Sequence, residues 1–300
     1  MFPAGFTRNV ATAWGDAGRE WLSGLPATID AVARDWRLTV GAPYDLSFNW
    51  VAPARRADGS PAVLKLGVPS STDLSFEAGA LSFFAGDGAA TLLDRDMDRG
   101  ALLLERVEPG HTLRTLVREH DERATAVLIA TMRRLHRPAP PGVACAELTT
   151  YRDGFAAHLR RYPGDDPIPR RLVERAVGLF DELCASADRR VVLHGDLHHE
   201  NVLAGTREPW LAIDPHGLLG DPGYEVGAAL YNPFDGDEPV LELIPARIEQ
   251  FADGLGMPIE RVVAWGFVQA VLSEVWGAQG DDSTPGQALE VALSLQPRLR

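Results

Sequence analysis

Lysine is almost absent from this chain: of 29 basic residues only Lys65 is lysine, and the remaining 28 are arginines. Cysteine is nearly as scarce. Cys145 and Cys184 form no C-x-x-C pair, so neither a disulfide framework nor a cysteine zinc site is indicated, and a reducing cytoplasm fits. Long hydrophobic runs are missing as well. The apolar side chains of residues 1–30 are interrupted by Arg8, Asp16, Arg19 and Glu20, so neither an export signal nor a membrane span is expected. Net positive charge is lacking too. A formal charge of −13 opposes nucleic-acid phosphate and anionic membranes and favours a cationic partner, although solubility alone is a sufficient reason for it.

What remains is the composition of an ordinary globular protein, 45% hydrophobic and 24% charged, able to bury a sizeable core. Its 300 residues reach the length, about 250–300, at which a single core stops growing, so two lobes are expected. Periodicity predicts amphipathic helices over 9–24 and 29–36, divided at Pro26, then strands over 38–40, 46–52 and 62–66. A helix over 73–84 and strands over 91–93 and 101–105 complete an N-terminal lobe, residues 1–106, with a small antiparallel sheet carrying one helix. The stretch 105–110 breaks the pattern and reads as a hinge. Residues 107–300 are expected to be mostly helical, at 112–120, 121–137, 148–161, 169–186, 224–230, 239–255 and 259–277, around short apolar runs at 191–193 and 210–213. The fold class is therefore α+β. No internal repeat or low-complexity tract is present.

The chemistry concentrates in His194-Gly-Asp-Leu-His-His-Glu-Asn201, which matches the kinase catalytic-loop pattern H-x-D-x-x-x-x-N. In that pattern Asp196 accepts the proton of an acceptor hydroxyl, while the Asn201 amide oxygen reaches Mg²⁺. His194 joins Asp196 as a catalytic candidate, shaping the loop by side-chain hydrogen bonds. His194 and His198 also have the i, i+4 spacing of a helical zinc pair, but no third soft ligand stands near. Asp214, eighteen residues after Asp196 and at the end of the apolar run 210–213, takes the position of a second Mg²⁺ ligand; a turn aspartate before Pro215 is the rival reading.

Lys65 lies in the third expected strand and Glu77 twelve residues on, in the following helix. A strand lysine paired with a helix carboxylate binds nucleotide phosphates in kinases, and a compact ammonium suits that task better than a planar guanidinium. No Gly-x-x-x-x-Gly-Lys-Ser/Thr loop, Gly-x-Gly-x-x-Gly loop or Ala-Pro-Glu triplet occurs, and no long activation loop follows Asp214. Between the first two strands, 41–49 offers Ser47 and Asn49 as phosphate contacts, with ordinary turn formation as the alternative.

The run His194 to Val202, Trp210 to Pro215 and Gly217 to Glu225 resembles the aminoglycoside phosphotransferase superfamily, in particular its streptomycin 6-kinase and hydroxyurea phosphotransferase branch. The resemblance runs from about Trp36 to the C-terminal helices. It implies a bilobal protein-kinase-like fold, ATP and Mg²⁺, and phosphorylation of a small antibiotic-type acceptor; streptomycin is the leading acceptor, and a monomer or homodimer is expected. It also implies that the backbone of Glu105 and Val107 meets adenine. Acceptor contacts are expected from the loop, at His198 and Glu200, and from the C-terminal helices, at Glu225, Asp235, Asp237, Glu274 and Trp276, where acidic groups would suit guanidinium. Solvated helix faces are the bland alternative. Phosphorylation of hydroxyurea or a metabolite alcohol is the rival activity, and a catalytically silent kinase-like binding module the rival of another class.

Overall fold

The computed structural model describes residues 2–234, 236–278 and 286–299. Helix α1 (Ala4–Asp35) buries Phe6, Val10, Trp21, Leu25 and Val32 along one side. Each such side chain contributes about 2 kcal/mol on leaving water. The expected division at Pro26 is not where the helix breaks: Pro26 lies inside it, and the break is at Gly15, with φ 56° and ψ −128°. Proline keeps a helical φ and loses one hydrogen bond, whereas the Gly15 conformation is closed to residues with a Cβ.

Strands β1 (Thr39–Val40), β2 (Trp50–Arg55) and β3 (Pro61–Leu66) lead to helix α2 (Asp73–Phe84), followed by β4 (Leu92–Asp96) and β5 (Ala101–Glu105). They form one antiparallel sheet in the order β1-β2-β3-β5-β4. Alternation along the strands assigns its faces. Trp50, Ala52, Leu64, Leu66, Ala101 and Leu103 pack with α1 in one cluster. Val51, Val63, Lys65 and Leu104 line a cavity on the opposite face. Under that face α2 places Leu74 and Ala78 against Leu102, while its Ala80, Leu81 and Phe84 belong to the C-terminal core. One helix thus joins both lobes.

The C-terminal region contains β6 (Pro109–Thr112), α3 (Val117–Leu135), β7 (Ala146–Glu147), α4 (Arg152–Arg161), α5 (Arg170–Ala185), β8 (Val191–Leu193), β9 (Val202–Gly205), β10 (Trp210–Ala212), β11 (Leu218–Gly220), α6 (Val226–Tyr231), α7 (Val240–Leu255), α8 (Ile259–Gly277) and α9 (Gln287–Leu295). Two three-stranded sheets, β10-β9-β6 and β7-β11-β8, flank the catalytic-type loop. Helix α8 is buried nearly all round and carries the fully buried Trp265. Among the described residues no single helix is long and apolar enough to cross a membrane; α7 and α8 pass only as a pair bent by 120°. The hinge stretch 105–110 gives way to β6, and in place of separate helices over 112–120 and 121–137 a 3-10 turn, Leu113–Leu116, runs into α3, which is kinked at His120.

Candidate functional site

Strand register sets the first wall of the cleft. Lys65 pairs with Val51 on one side and Leu102 on the other, which turns its side chain toward α2 and away from α1. There Lys65 Nζ lies 2.6 Å from Glu77 Oε2, each side chain 5% exposed, and it also bonds Asp214 Oδ1 from across the cleft. Burial pulls the Lys65 pKa down, but the charges of Asp214 and Glu77 outweigh it and hold the ammonium above its usual range. Lys65 holds the Asp214 carboxyl below its usual range in turn.

A cavity of about 630 Å³ opens beside this cluster, with Tyr44, Val63, Leu104, Val107 and Ile213 among its lining residues and Lys65, Glu77 and Asp214 at its charged end. Glu105 and Val107 lie along its edge, where the chain passes between the lobes. The Glu105 main-chain N–H donates to Thr91 O, and its carboxylate is held by Thr91 and Arg207. Ser47 and Asn49 are not among the lining residues. Ser47 O accepts from Asn9 of α1, and Asn49 Oδ1 fills the place a Cβ on Gly67 would need. Tyr44 takes their expected place, its main-chain N–H fixed on Val51 O.

The second wall is the loop from β8 to β9. Gly195 has φ +89°, with the His216 and Leu218 side chains 3.0 Å from where its Cβ would be, so only glycine fits. His194 is fully buried: Nε2 bonds Ile213 O at 2.8 Å, and Nδ1 accepts the Asp196 N–H at 3.3 Å. It therefore holds the loop and cannot touch a substrate, and it has no nitrogen left for zinc. Among the described residues no group of three or more His, Cys, Asp or Glu is placed to hold a metal.

Asn201 Nδ2 donates to Asp196 O at 2.9 Å and lies 3.3 Å from Asp196 Oδ2, which leaves the amide oxygen as the atom to meet a cation. With Asp214 it makes a hard-oxygen pair of the kind Mg²⁺ takes alongside phosphate and water. Asp214 has φ 60°, a conformation rare outside glycine and one that aims its carboxylate back at Lys65. Burial pushes the Asp196 carboxyl up, but His198, His216 and His194 more than offset this and hold it below the usual carboxylate range.

Several expected acceptor contacts are placed otherwise. Glu225 is fully buried, accepting the main-chain N–H groups of His194 and Gly195 at 2.8 and 2.7 Å, with His136 Nε2 at 3.3 Å. Glu274 accepts from the N–H groups of Gly286 and Leu289, capping α9 rather than facing the cleft. Glu200 pairs with Arg114 at 3.0 Å, and Arg114 also grips Glu238. Asp237 is exposed, and Asp235 lies outside the described residues. His198 does border the site, its Nε2 3.5 Å from Asp196 Oδ2. Trp276 stacks edge-on against Tyr151 at 5.0 Å, and the Tyr151 hydroxyl reaches His216 Nδ1 at 3.3 Å. Tyr151, His216 and Arg114 were not anticipated; only His216, two residues past Asp214 in a glycine-flanked turn, carried a signal that could have shown it.

Residues 40–280 match the family described as aminoglycoside/hydroxyurea antibiotic resistance kinase. A streptomycin 6-kinase of Streptomyces glaucescens is 33% identical over 98% of this chain and 96% of its own. A hydroxyurea phosphotransferase of Kitasatospora aureofaciens is 37% identical over 95% of this chain and 82% of its own. Among solved structures, the choline kinase of Streptococcus pneumoniae superposes with a TM-score of 0.63 at 14% identity, covering 92% of this chain and 98% of that one. An aminoglycoside phosphotransferase of Streptomyces rimosus in complex with ADP and streptomycin superposes with a TM-score of 0.56 at 20% identity, covering 82% and 97%. The bilobal kinase-like fold is thereby established.

Proposed function

We propose, because the chain belongs to the aminoglycoside/hydroxyurea antibiotic resistance kinase family, that this small-molecule kinase transfers the γ-phosphoryl group of ATP to a hydroxyl of streptomycin and so inactivates it. The observation that carries the acceptor is likeness to two streptomycin 6-kinases, 33% and 32% identical over 98% and 91% of this chain. The hydroxyurea phosphotransferase, at 37% identity, supports hydroxyurea as the second candidate.

In this reading the lobes divide at residue 106, and adenine enters the cavity beside Glu105 and Val107. Lys65, kept charged by Glu77, meets the phosphates. Asn201 and Asp214 hold Mg²⁺, which supplies charge neutralisation on the phosphates when bound. Asp196 accepts the hydroxyl proton as the oxygen attacks phosphorus in line. Little covalent work falls to the protein, so positioning and electrostatics supply the rate. ATP use fits a cytoplasmic enzyme.

An ADP-release assay with streptomycin, hydroxyurea and a set of amino alcohols tests the assignment. Streptomycin-dependent turnover by the wild type, abolished in Asp214→Ala, is expected. Turnover with amino alcohols alone would reject the acceptor, and substantial turnover by Asp214→Ala would reject the site.

A further inference from the structure

We propose that His216 is a catalytic residue that seats the acceptor hydroxyl against Asp196, a role that rests on the phosphotransfer reading above. His216 lies in the turn between β10 and β11, and this turn is stitched to the catalytic loop. The main-chain N–H groups of His216 and Gly217 both donate to His194 O, at 2.7 and 3.2 Å. The side chain is 45% exposed, so it is open to a ligand, and its Nε2 lies 4.0 Å from Asp196 Oδ2.

That separation is too long for a direct hydrogen bond and short enough for one bridging oxygen. An oxygen placed about 2.7 Å from the carboxylate and about 2.9 Å from the nitrogen reaches both atoms at an angle of about 90°. The tautomer suits this use. A carboxylate facing Nε2 favours the proton on that nitrogen, which leaves Nδ1 to accept from the Tyr151 hydroxyl 3.3 Å away. Tyr151 is itself wedged edge-on between Trp276, at 5.0 Å, and Tyr224, at 6.0 Å, so the imidazole is aimed by the core of the C-terminal lobe. His198 does not duplicate the role, because its Nε2 also lies 3.2 Å from Asn201 Nδ2, on the cation side of the loop.

A hydroxyl in this seat donates to Asp196 and accepts from His216, and its remaining lone pair is free for phosphorus. In the transfer an O–P bond forms to the γ-phosphorus and the P–O bond to the β-phosphate breaks. The hydroxyl proton passes to Asp196, ADP leaves, and His216 keeps its proton throughout. Orientation of the nucleophile is the whole contribution of the imidazole.

The test is steady-state kinetics with ATP and Mg²⁺, run with each acceptor the wild type phosphorylates and also without acceptor, where water takes the hydroxyl's place. His216→Ala is expected to lower kcat about a hundredfold in both settings. KM for ATP should change less than twofold and the melting temperature should hold. Tyr151→Phe, which keeps the ring and loses the donor, should lower kcat about tenfold, and His216→Asn, which returns an N–H, should recover part of the loss. An unchanged kcat in His216→Ala overturns the proposal, as does a fall that tracks lost ATP affinity or lost stability. Failure of the broader reading looks different: a wild type that turns over no acceptor rejects that reading, and its acceptor-free ADP release still decides the role of His216. A wild type with no ADP release at all rejects both.

Discussion

Lys65 and Glu77 form a buried ion pair at 2.6 Å, from neighbouring elements of one lobe, and the same ammonium bonds Asp214, 149 residues along the chain. Arginine has taken every other basic position in the chain. At this one a planar fork would have to fit between two carboxylates set for a point charge. Lys65→Arg should therefore stay folded, because the charge is kept, while kcat/KM for ATP falls about a hundredfold. Parallel melting curves and ADP-release kinetics separate the two effects; near-wild-type kinetics would mean that the fork is tolerated.

Glu225 acts on the catalytic loop from beneath. Its carboxylate is the acceptor for two adjacent buried main-chain N–H groups, those of His194 and Gly195. Glu225→Ala orphans both, at a cost of about 3 kcal/mol. Glu225→Gln keeps one accepting oxygen and should lose about half as much. Denaturant unfolding measures both values, and KM for the acceptor in the Gln variant should be unchanged. A raised acceptor KM with unaltered stability would return Glu225 to the role its charge suggested.

That misreading shows where sequence patterns stop. Helices α2 and α8 and strands β5 and β8 match their expected spans, because each is long enough to show a period or is bounded by turn residues. Strands β7, β9 and β11 hold two to four residues, fewer than an alternation needs to be recognised, and α9 was not expected at all. The loop from His194 to Asn201 stood out because its residues are contiguous in the sequence. The acceptor side did not, since Glu225 and Glu274 carry the charge of surface residues but spend it on backbone N–H groups. Residue type tells what a side chain can bond; only packing tells which way it faces.

His158 and His199 contribute to the pH dependence of stability. Both are buried, with His158 Nδ1 and both His199 ring nitrogens lacking hydrogen-bond partners among the described residues, and burial holds both pKa values below the usual imidazole range. Below the unfolded value of about 6.5 the unfolded chain binds protons at these two positions that the folded chain refuses, so their contribution to stability falls as pH drops through that value. His158 packs 4.9 Å from the Tyr162 ring. His158→Phe keeps that contact and removes one titrating group. Urea unfolding between about pH 5.5 and 7.5 should show a shallower slope for the variant than for the wild type. Equal slopes would mean that His158 takes up its proton in the folded state.

Glu274 and Trp276 both lie in the last turn of α8, and the structure gives them opposite duties. Glu274 accepts from Gly286 and Leu289 N–H at 2.9–3.1 Å, so Glu274→Ala removes a cap of α9 and should cost about 1 kcal/mol. Acceptor KM should not move, because the carboxylate is directed at α9. Trp276 is half-buried, stacked on Tyr151, and so one ring removed from the His216 and Asp196 pair. A guanidinium or a sugar face can pack on such an indole, and its loss removes both that surface and the support behind Tyr151. Trp276→Ala should therefore raise acceptor KM about tenfold and lower kcat, with KM for ATP unchanged. If Glu274→Ala were the variant that raised acceptor KM, while Trp276→Ala affected melting alone, the acceptor would have to lie on the α9 side of α8 and not beside Tyr151.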